Sequence, residues 1–352
     1  MTAKSACSSA RNHARGDAAE HATGSTADPT ADPTWDPAHL PDQTGRTLVV
    51  TGATAGIGYF AAEQLAAAGA HVVLASRSAA KLETAVASIG REVPGARLDT
   101  VVVDLASLAS VADAAARIAA LPRVDGLLLN GGAMALKGSA TTADGLPLLL
   151  GTHVVANAVL LAGVLPALAA TGERTGTPSR VVHTSTGFVT QFPVAVDDVR
   201  RVPRVAVGAY TKAKTVTEVL AFELARRLEA AGTPVVSLVT RPGVGVDART
   251  PHRPGIRDAT TPYQRNPYTL WAQGKDAAAW SAVRALTDPQ ARNGDYYAPA
   301  GRLRGVPVRV DPTARTASPE GDLAARVWDQ VEVLAGTALR IPAGAGEEQA
   351  RG

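Results

Sequence analysis

Cysteine is almost absent from the sequence, which excludes a fold stabilised by disulfides. Among 352 residues the only cysteine is Cys7, within a polar N-terminal segment. One cysteine cannot form a disulfide within the chain, so we expect a reducing compartment. We also expect chemistry that does not use a cysteine nucleophile.

Aromatic residues and clustered positive charge are scarce as well. Aromatics make up 4% of the chain, the formal net charge is +3, and no run of Lys and Arg is long enough to follow a phosphate backbone. These features disfavour nucleic acid as a partner. The apolar share of 46% is still enough for the core of a soluble globular protein.

Long hydrophobic runs are also missing. No apolar stretch occurs near the N-terminus, so we expect no secretory signal, and Asp17 and Glu20 disfavour a transit peptide. The apolar run at residues 154–170 is shorter than the roughly 20 residues of a spanning helix and contains Asn157 and Pro166. A helix buried in a core or a subunit interface is the better interpretation. We therefore expect a cytoplasmic protein without a membrane span.

The composition changes near residue 45. Residues 1–44 contain no Val, Ile or Phe and repeat Thr-Ala-Asp-Pro, which predicts a disordered tail, and we expect a second tail at 341–352. Between them, short β-branched runs alternate with Ala/Leu-rich segments of helical length. This alternation predicts a single α/β domain at 45–340, a doubly wound parallel sheet (Rossmann fold) covered on both faces. Its strands are continuous apolar runs because both faces are buried.

The periodicity weakens in a Pro- and Arg-rich stretch at residues 241–268. After it we predict a helix at 277–286, a short strand at 295–298 and a last helix at 324–334. The irregular stretch occurs where such a fold would place a lid over its site. A plain surface excursion explains it nearly as well.

A glycine-rich loop, TGATAGIG at residues 51–58, follows the first predicted strand and precedes the first helix. Its glycines allow a tight turn and bring backbone N–H groups to a pyrophosphate at the helix N-terminus. A structural turn would explain such a loop in isolation, but its position favours a dinucleotide. The cofactor-binding residues predicted here are Gly52, Thr54, Ala55, Gly56, Ile57 and Gly58.

The second predicted strand ends with Ser76 and Arg77, where an NAD-binding protein would carry an acidic residue. Guanidinium can pair with a 2'-phosphate in bidentate fashion, so these residues favour NADP(H) over NAD(H). The alternative is an arginine that is merely solvated at the end of a strand.

The stretch GAYTKAK contains Tyr210 and two lysines, Lys212 and Lys214. On a helix, residues three or four apart share a face, whereas residues two apart point in roughly opposite directions. We therefore predict that Lys214 is the partner of Tyr210 and that Lys212 faces solvent.

The motifs TGATAGIG, VVVDL, LLLNGG, YxxxK at 210–214 and RPG at 241–243, in this order, resemble the short-chain dehydrogenase/reductase family over about residues 44–337. The tail sequences DYYAPAG and RVWDQVEVL resemble its retinol-dehydrogenase-like branch. The resemblance implies hydride transfer between an alcohol or carbonyl and a nicotinamide. It also implies cofactor contacts at Asp104, Leu105, Asn130, Gly131 and Val244.

By the same resemblance Tyr210 is the acid/base, and Lys214 lowers the pKa of its phenol and binds the nicotinamide ribose. Ser185 and Thr186 point to opposite faces of a strand end, and alignment with the family's usual serine pair favours Thr186 as the hydroxyl donor. His153 stands where the family carries an Asn. It either serves a proton relay or the reaction directly, or is a buried imidazole bonded to a backbone carbonyl.

Two stretches, one between Gly187 and Ala209 and one at residues 241–268, are predicted to form a substrate pocket with an apolar wall and a cationic rim. The residues are Phe188, Phe192, Arg200, Arg201, Arg204, Arg249, Arg253, Arg257, Tyr263 and Tyr268. Simple solvation of these arginines is the alternative. Arg241 and Asp247 depart from the family pattern.

The hypothesis from the sequence is an NADP(H)-dependent oxidoreductase acting on an alcohol or ketone of a small or medium hydrophobic molecule, without a metal. The alternatives are a cofactor-binding sensor and a dehydratase or isomerase of the same fold. The family suggests a homodimer or homotetramer that pairs through the apolar helix and the Tyr210 helix.

Overall fold

A computed structural model describes residues 35–133, 140–263 and 269–344. Within them eight strands form one sheet in the order β3-β2-β1-β4-β5-β6-β7-β8. The strands are parallel except β8, which pairs antiparallel with β7 at one edge. Their bounds are β1 Thr47–Thr51, β2 His71–Ser76, β3 Arg97–Val102, β4 Gly126–Leu129, β5 Ser179–Thr184, β6 Val235–Thr240, β7 Tyr296–Pro299 and β8 Pro307–Arg309. The predicted doubly wound sheet is confirmed.

Helices cover both faces of this sheet. One face carries α3, α5, α7 and α10, and the other carries α1, α2 and α8. The helices are α1 Gly56–Ala67, α2 Ala79–Glu92, α3 Leu108–Ala119, α4 Leu148–Leu150, α5 Ala156–Thr175, α6 Phe188–Gln191, α7 Ala206–Ala230, α8 Lys275–Thr287, α9 Ala314–Ala317 and α10 Leu323–Ala335. A π-helical turn at Gly151–Val155 joins α4 to α5, and a 3-10 turn occurs at Asp247–Arg249.

Strand β1 shows why the strands are apolar throughout. Val49 packs into the core on one face of the sheet, while Leu48 and Val50 pack into the core on the other face. Successive side chains of a strand alternate in direction, so a strand between two helical layers needs an apolar residue at nearly every position. Strands β1 and β4 are neighbours, and the strand order reverses between them. In such folds a nucleotide usually binds at the carboxyl ends of the strands at this point.

The apolar helix is longer than the sequence indicates. In the described residues one helix, Leu148–Thr175, is long and apolar enough to cross a membrane, and 72% of its most apolar window is buried within the protein. The helix continues through both Asn157 and Pro166. Burial against α3 and the sheet agrees with the interpretation of a core helix.

Both ends of the packed chain extend beyond the expected boundaries. Trp35 is buried in the core beside α1 and Gln43 is buried as well, although we expected disorder up to residue 44. At the other end, the N–H of Gly344 donates to the Ala231 carbonyl, within the tail expected from 341. The composition of these segments is polar, but a few residues in each find partners on the domain.

Replacing Trp35 by Ala should therefore destabilise the fold. Loss of a buried Trp side chain costs about 3 kcal/mol in the free energy of unfolding, measured by urea denaturation. Trp271→Ala is the matched control, because Trp271 is 56% exposed and its removal should change the free energy little. Equal effects of the two substitutions would contradict the packing of Trp35.

Candidate active site

The glycine loop is held against the end of β4 by the Thr51 hydroxyl. Its Oγ1 donates to the Leu128 carbonyl and accepts from the N–H groups of Asn130 and Gly131 at 3.0 and 2.9 Å. The Asn130 side chain also donates to the Thr51 carbonyl. One hydroxyl thus fixes the two strand ends between which the predicted cofactor would lie.

Close backbone approach explains the glycines of the loop. A Cβ atom on Gly58 would lie 2.4 Å from the Gly52 carbonyl oxygen, and Gly52 itself has a φ of +69°. Helix α1 begins at Gly56 without a side-chain cap, so its first N–H groups are available to an anion. This arrangement fits the diphosphate of a dinucleotide.

The predicted adenosine contacts lie around the same loop. Thr54 Oγ1 is 3.1 Å from Ser76 Oγ at the end of β2. Arg77 follows and is exposed. The Asp104 carboxylate accepts from the Ala106 N–H, and Leu105 packs on Gly131, where a Cβ would lie 2.8 Å from Leu105 Cδ1. Ala55 and Ile57 are exposed and half-buried members of the loop.

Tyr210, Lys214 and Thr186 meet at the carboxyl end of β5. Tyr210 lies in the first turns of α7, and the Thr186 hydroxyl lies close enough to its phenol to act on the pKa of that group. Lys214 follows one helical turn later, with Nζ 5.9 Å from the centroid of the Tyr210 ring. Its ammonium is buried and donates to the Thr184 carbonyl at 2.6 Å. The structure thus brings together the residues that the spacing predicts.

Ser185 points away from this group. Its hydroxyl donates to the buried Glu218 carboxylate, which also accepts from Tyr296 and Thr316. Adjacent strand residues face opposite sides, so only Thr186 reaches Tyr210. Glu218 was not predicted from the sequence, although its position four residues after Lys214 places it on the same helical face.

The predicted shift in the pKa of Tyr210 is wrong in direction. Burial raises the pKa of its phenol, and the Thr186 hydroxyl only partly opposes this rise. Burial lowers the pKa of Lys214 to about 8, while the nearby Glu218 carboxylate acts to raise it. Desolvation disfavours the charged form of each group, so Tyr210 is protonated at neutral pH.

Lys212 is buried, so the prediction that it faces solvent is wrong. Its side chain is 4% exposed, and Nζ donates to the carbonyls of Asp198 and Arg201. The segment preceding α7 therefore folds over the side of the helix opposite Tyr210. Lys212 anchors that segment, and helical spacing alone could not show that the segment covers it.

His153 is buried under the Tyr210 ring. The two rings meet edge to face with centroids 5.5 Å apart, and Nε2 lies 2.9 Å from the Ala133 carbonyl, so Nε2 carries the proton. Nδ1 has no partner among the described residues. Burial, together with the charge of Lys214, lowers the pKa of His153 to about 3. The bond to a backbone carbonyl is the second of our two interpretations, and a neutral ring disfavours His153 as a direct acid.

Two further features hold this imidazole in place. A Cβ on Gly132 would lie 2.0 Å from His153 Cε1, so only glycine leaves room for the ring. The π-helical turn contains His153, and Asn157 donates to its carbonyl oxygen. A second buried histidine, His183 on β5, also has a pKa lowered to about 3 by burial and by Lys214. Neither Gly132 nor His183 was predicted from the sequence.

The N–H of Val244 is already used within the protein. It donates to the Leu303 carbonyl, and the Val244 carbonyl accepts from the Gln273 N–H, both at 2.9 Å. The carbonyl has a second lone pair, so this atom and the side chain are the parts of Val244 that could make the predicted contact. Asp247 is buried and forms an ion pair with Lys275 at 2.6 Å. The guanidinium of Arg241 lies near Glu218, whose pKa it acts to lower.

The predicted pocket is formed in part. Phe188 packs edge to face on Tyr210 and on Phe192, with centroids 6.4 and 5.6 Å apart, and provides an apolar wall. The cationic rim is wrong for two residues, because Arg253 is paired with Glu63 and Arg249 donates to the carbonyls of Thr269 and Leu270. Three other arginines of the predicted rim are exposed: Arg200, Arg201 and Arg204. Tyr268 lies outside the described residues.

Comparison with known proteins agrees with this geometry. A family model described as short chain dehydrogenase matches residues 46–184. The chain is 36% identical over 256 residues to polyprenol dehydrogenase of Mus musculus, covering 71% of this chain and 74% of that protein. It is 33% identical over 203 residues to retinol dehydrogenase 13 of Homo sapiens, covering 57% and 59%.

A solved structure shows the same fold. An uncharacterised protein from Mycobacterium paratuberculosis superposes with a TM-score of 0.68 at 27% identity, covering 87% of this chain and 99% of that one. The chain therefore belongs to the short-chain dehydrogenase/reductase family, whose members are oxidoreductases acting on CH–OH groups. The family predicted from the motifs is confirmed.

The two buried histidines should make the fold sensitive to acid. Each is neutral in the folded chain down to pH of about 3 but becomes protonated in the unfolded chain below 6.5, so stability is lost as pH falls through this window. Between pH 6.5 and about 4.5 each histidine should contribute a loss of roughly 2 to 3 kcal/mol. His183→Val should reduce the pH dependence of the unfolding free energy, whereas His39→Ala, at an exposed site, should not. An unchanged slope in His183→Val would contradict the assignment.

Proposed function

We propose that the protein is an NADP(H)-dependent oxidoreductase that interconverts an alcohol and a carbonyl on a small or medium hydrophobic substrate. One observation carries the proposal: the Tyr210 phenol lies close to the Thr186 hydroxyl, which acts to lower its pKa, and the Lys214 ammonium follows one helical turn later. The group lies at the same edge of the sheet as the glycine loop. A dinucleotide lying across this edge would bring its reactive end toward Tyr210.

Three side chains have separate roles in the proposed carbonyl reduction. Tyr210 donates its proton to the carbonyl oxygen, and Thr186 donates a hydrogen bond that orients the same oxygen. Lys214 stabilises the phenolate that remains. A bound NADPH supplies the hydride to the carbonyl carbon. The raised pKa of Tyr210 keeps the phenol protonated at neutral pH, which favours the direction of reduction.

An apolar substrate is supported by the wall over Tyr210. Phe188 contacts the catalytic ring, and Phe192 extends the aromatic surface outward with 49% of its side chain exposed. Val205 and Val207, at the start of α7, are also exposed. The relative from Mus musculus is named for an apolar alcohol, a polyprenol. An aliphatic or aromatic ketone or alcohol is therefore the class of substrate to screen first.

Tyr210→Phe should abolish turnover while NADPH binding persists. Loss of the proton donor should lower kcat by a factor of about a thousand, because general acid catalysis is typically worth two to four powers of ten. The measurement is NADPH oxidation at fixed enzyme with a panel of hydrophobic ketones, together with NADPH titration by fluorescence. Turnover retained by Tyr210→Phe would remove the mechanism.

Thr186→Ala and Ser185→Ala form a matched pair for the same assay. Both remove one hydroxyl from adjacent residues, but only Thr186 faces Tyr210. Thr186→Ala should lose most turnover, and Ser185→Ala should keep it despite some loss of stability. Equal losses in the two variants would contradict the assignment of the hydroxyl donor.

The rate of reduction should fall as pH rises through about 8. Lys214 has a lowered pKa of about 8, so its ammonium, which stabilises the phenolate, is lost above that pH. The profile of kcat/KM against pH should show an alkaline limb near this value. Lys214→Arg keeps the charge at all accessible pH values, and any activity that it retains should lack this limb. The same limb in Lys214→Arg would assign it to another group.

A further inference from the structure

The segment expected as a lid over the substrate lies instead across the glycine loop. We call residues 247–263 the strap. The Arg253 guanidinium of the strap forms two hydrogen bonds to the Glu63 carboxylate on α1, at 2.7 and 2.9 Å, and lies 3.5 Å from Glu92 at the end of α2. Glu63 is buried. The strap is therefore anchored to the half of the fold that carries the cofactor loop.

A tight turn within the strap fixes the next arginine. Arg253 and Arg257 exchange two backbone hydrogen bonds at 2.9 and 2.8 Å. Gly255 at the tip has a φ of +74° and packs on Thr84 of α2, where a Cβ would lie 2.5 Å from Thr84 Cγ2. The Asp258 carboxylate closes the turn by accepting from the Gly255 N–H. The position of the Arg257 backbone thus follows from the anchor at Arg253.

The Arg257 side chain is ordered as well. Its guanidinium lies 5.2 Å from the centroid of the Tyr263 ring and donates to the Asp247 carbonyl at 3.2 and 3.3 Å. Stacking on an aromatic ring holds a guanidinium plane while leaving N–H groups along its edge for an anion.

A cleft of about 420 Å³ separates the strap from the glycine loop. Its walls include Thr54 and Gly56 of the loop, Lys81 at the start of α2, and Arg257 and Lys275 on the strap side. One carboxylate, Asp247, also lines it and is paired with Lys275. Three cations against one acid give the cleft an excess of positive charge, which suits a phosphate.

We propose that the strap recognises the cofactor, and that Arg257 binds the phosphate on the 2' position of the adenosine ribose. The inference rests on the proposed NADP(H)-dependent function and assigns Arg257 to the cofactor instead of the substrate. Its basis is the reach of the cleft from the glycine loop to α2. That ribose would lie beside the hydroxyl pair of Thr54 and Ser76, between the glycine loop and α2. A planar guanidinium matches a phosphate in bidentate fashion.

The test uses two probes that differ only by the phosphate in question, adenosine 2',5'-bisphosphate and adenosine 5'-monophosphate. Calorimetric titration of the full chain should show tighter binding of the bisphosphate. Arg257→Gln should weaken the bisphosphate by about tenfold and leave the monophosphate within about twofold. Arg91→Gln, on the exposed end of α2, removes the same charge outside the cleft and should change neither.

Two results would overturn the inference. Equal weakening of both probes by Arg257→Gln would place the guanidinium on the 5' phosphate. No weakening of either probe would show that Arg257 contacts neither phosphate. Glu63→Gln tests the anchor, because it frees Arg253 without altering a group that lines the cleft. It should lower the preference for the bisphosphate severalfold, and a preference equal to that of the unaltered chain would show that the strap needs no anchor.

The same titrations separate this inference from the proposed function. If the unaltered chain binds neither NADPH nor NADH, the proposed function fails and the strap has no cofactor to recognise. If it prefers NADPH and Arg257→Gln keeps that preference, only the role of Arg257 fails. Arg257→Lys should restore part of the preference, since it returns the charge without the planar pair of donors.

Discussion

A buried ammonium group organises the candidate site. Lys214 is 3% exposed, so little water can hydrate its charge, and its ammonium donates a hydrogen bond to the Thr184 carbonyl. Burial of His153 and His183, together with the charge of Lys214, lowers the pKa values of both imidazoles, so both are neutral around it. Burial and one cation therefore act together on the protonation of these rings, and the Tyr210 phenol lies beside them.

The buried ammonium of Lys214 is one of several polar groups on a single face of α7. Tyr210, Lys214 and Glu218 follow each other at intervals of four residues, so the helix alternates a phenol, a cation and a carboxylate along a single line. Glu218 in turn accepts hydrogen bonds from hydroxyl groups of Ser185 directly after β5, Tyr296 on β7 and Thr316 on α9. The catalytic helix is thus fixed to the sheet by polar groups as well as by its apolar face. Removal of one partner would leave a buried charge unsatisfied.

The sequence was sufficient where function depends on local periodicity. Four-residue spacing distinguished Lys214 from Lys212, and the order of apolar runs predicted the sheet. Strand alternation showed that only one of Ser185 and Thr186 could reach Tyr210, and the family resemblance favoured Thr186. These are contacts between near neighbours or within one repeating pattern.

Long-range contacts account for what the sequence could not show. Lys212 is buried because a segment without periodicity folds over it, and the N–H of Val244 donates to the carbonyl of the distant Leu303. The pair of Arg253 and Glu63 joins residues 190 positions apart, and no spacing rule connects them. A shifted pKa likewise depends on burial from all sides, which is why the direction for Tyr210 was mistaken.

The π-helical turn before α5 has a consequence for how this site tolerates changes in length. A turn of this kind contains one more residue than an ordinary helical turn. Loss of a single residue from Gly151–Val155 would let α4 and α5 merge into one regular helix, because the deletion removes the extra residue that the wide turn accommodates. The helical segments on either side would keep their faces, and the change would fall on the turn itself, where His153 lies beneath Tyr210 in the space that Gly132 leaves open.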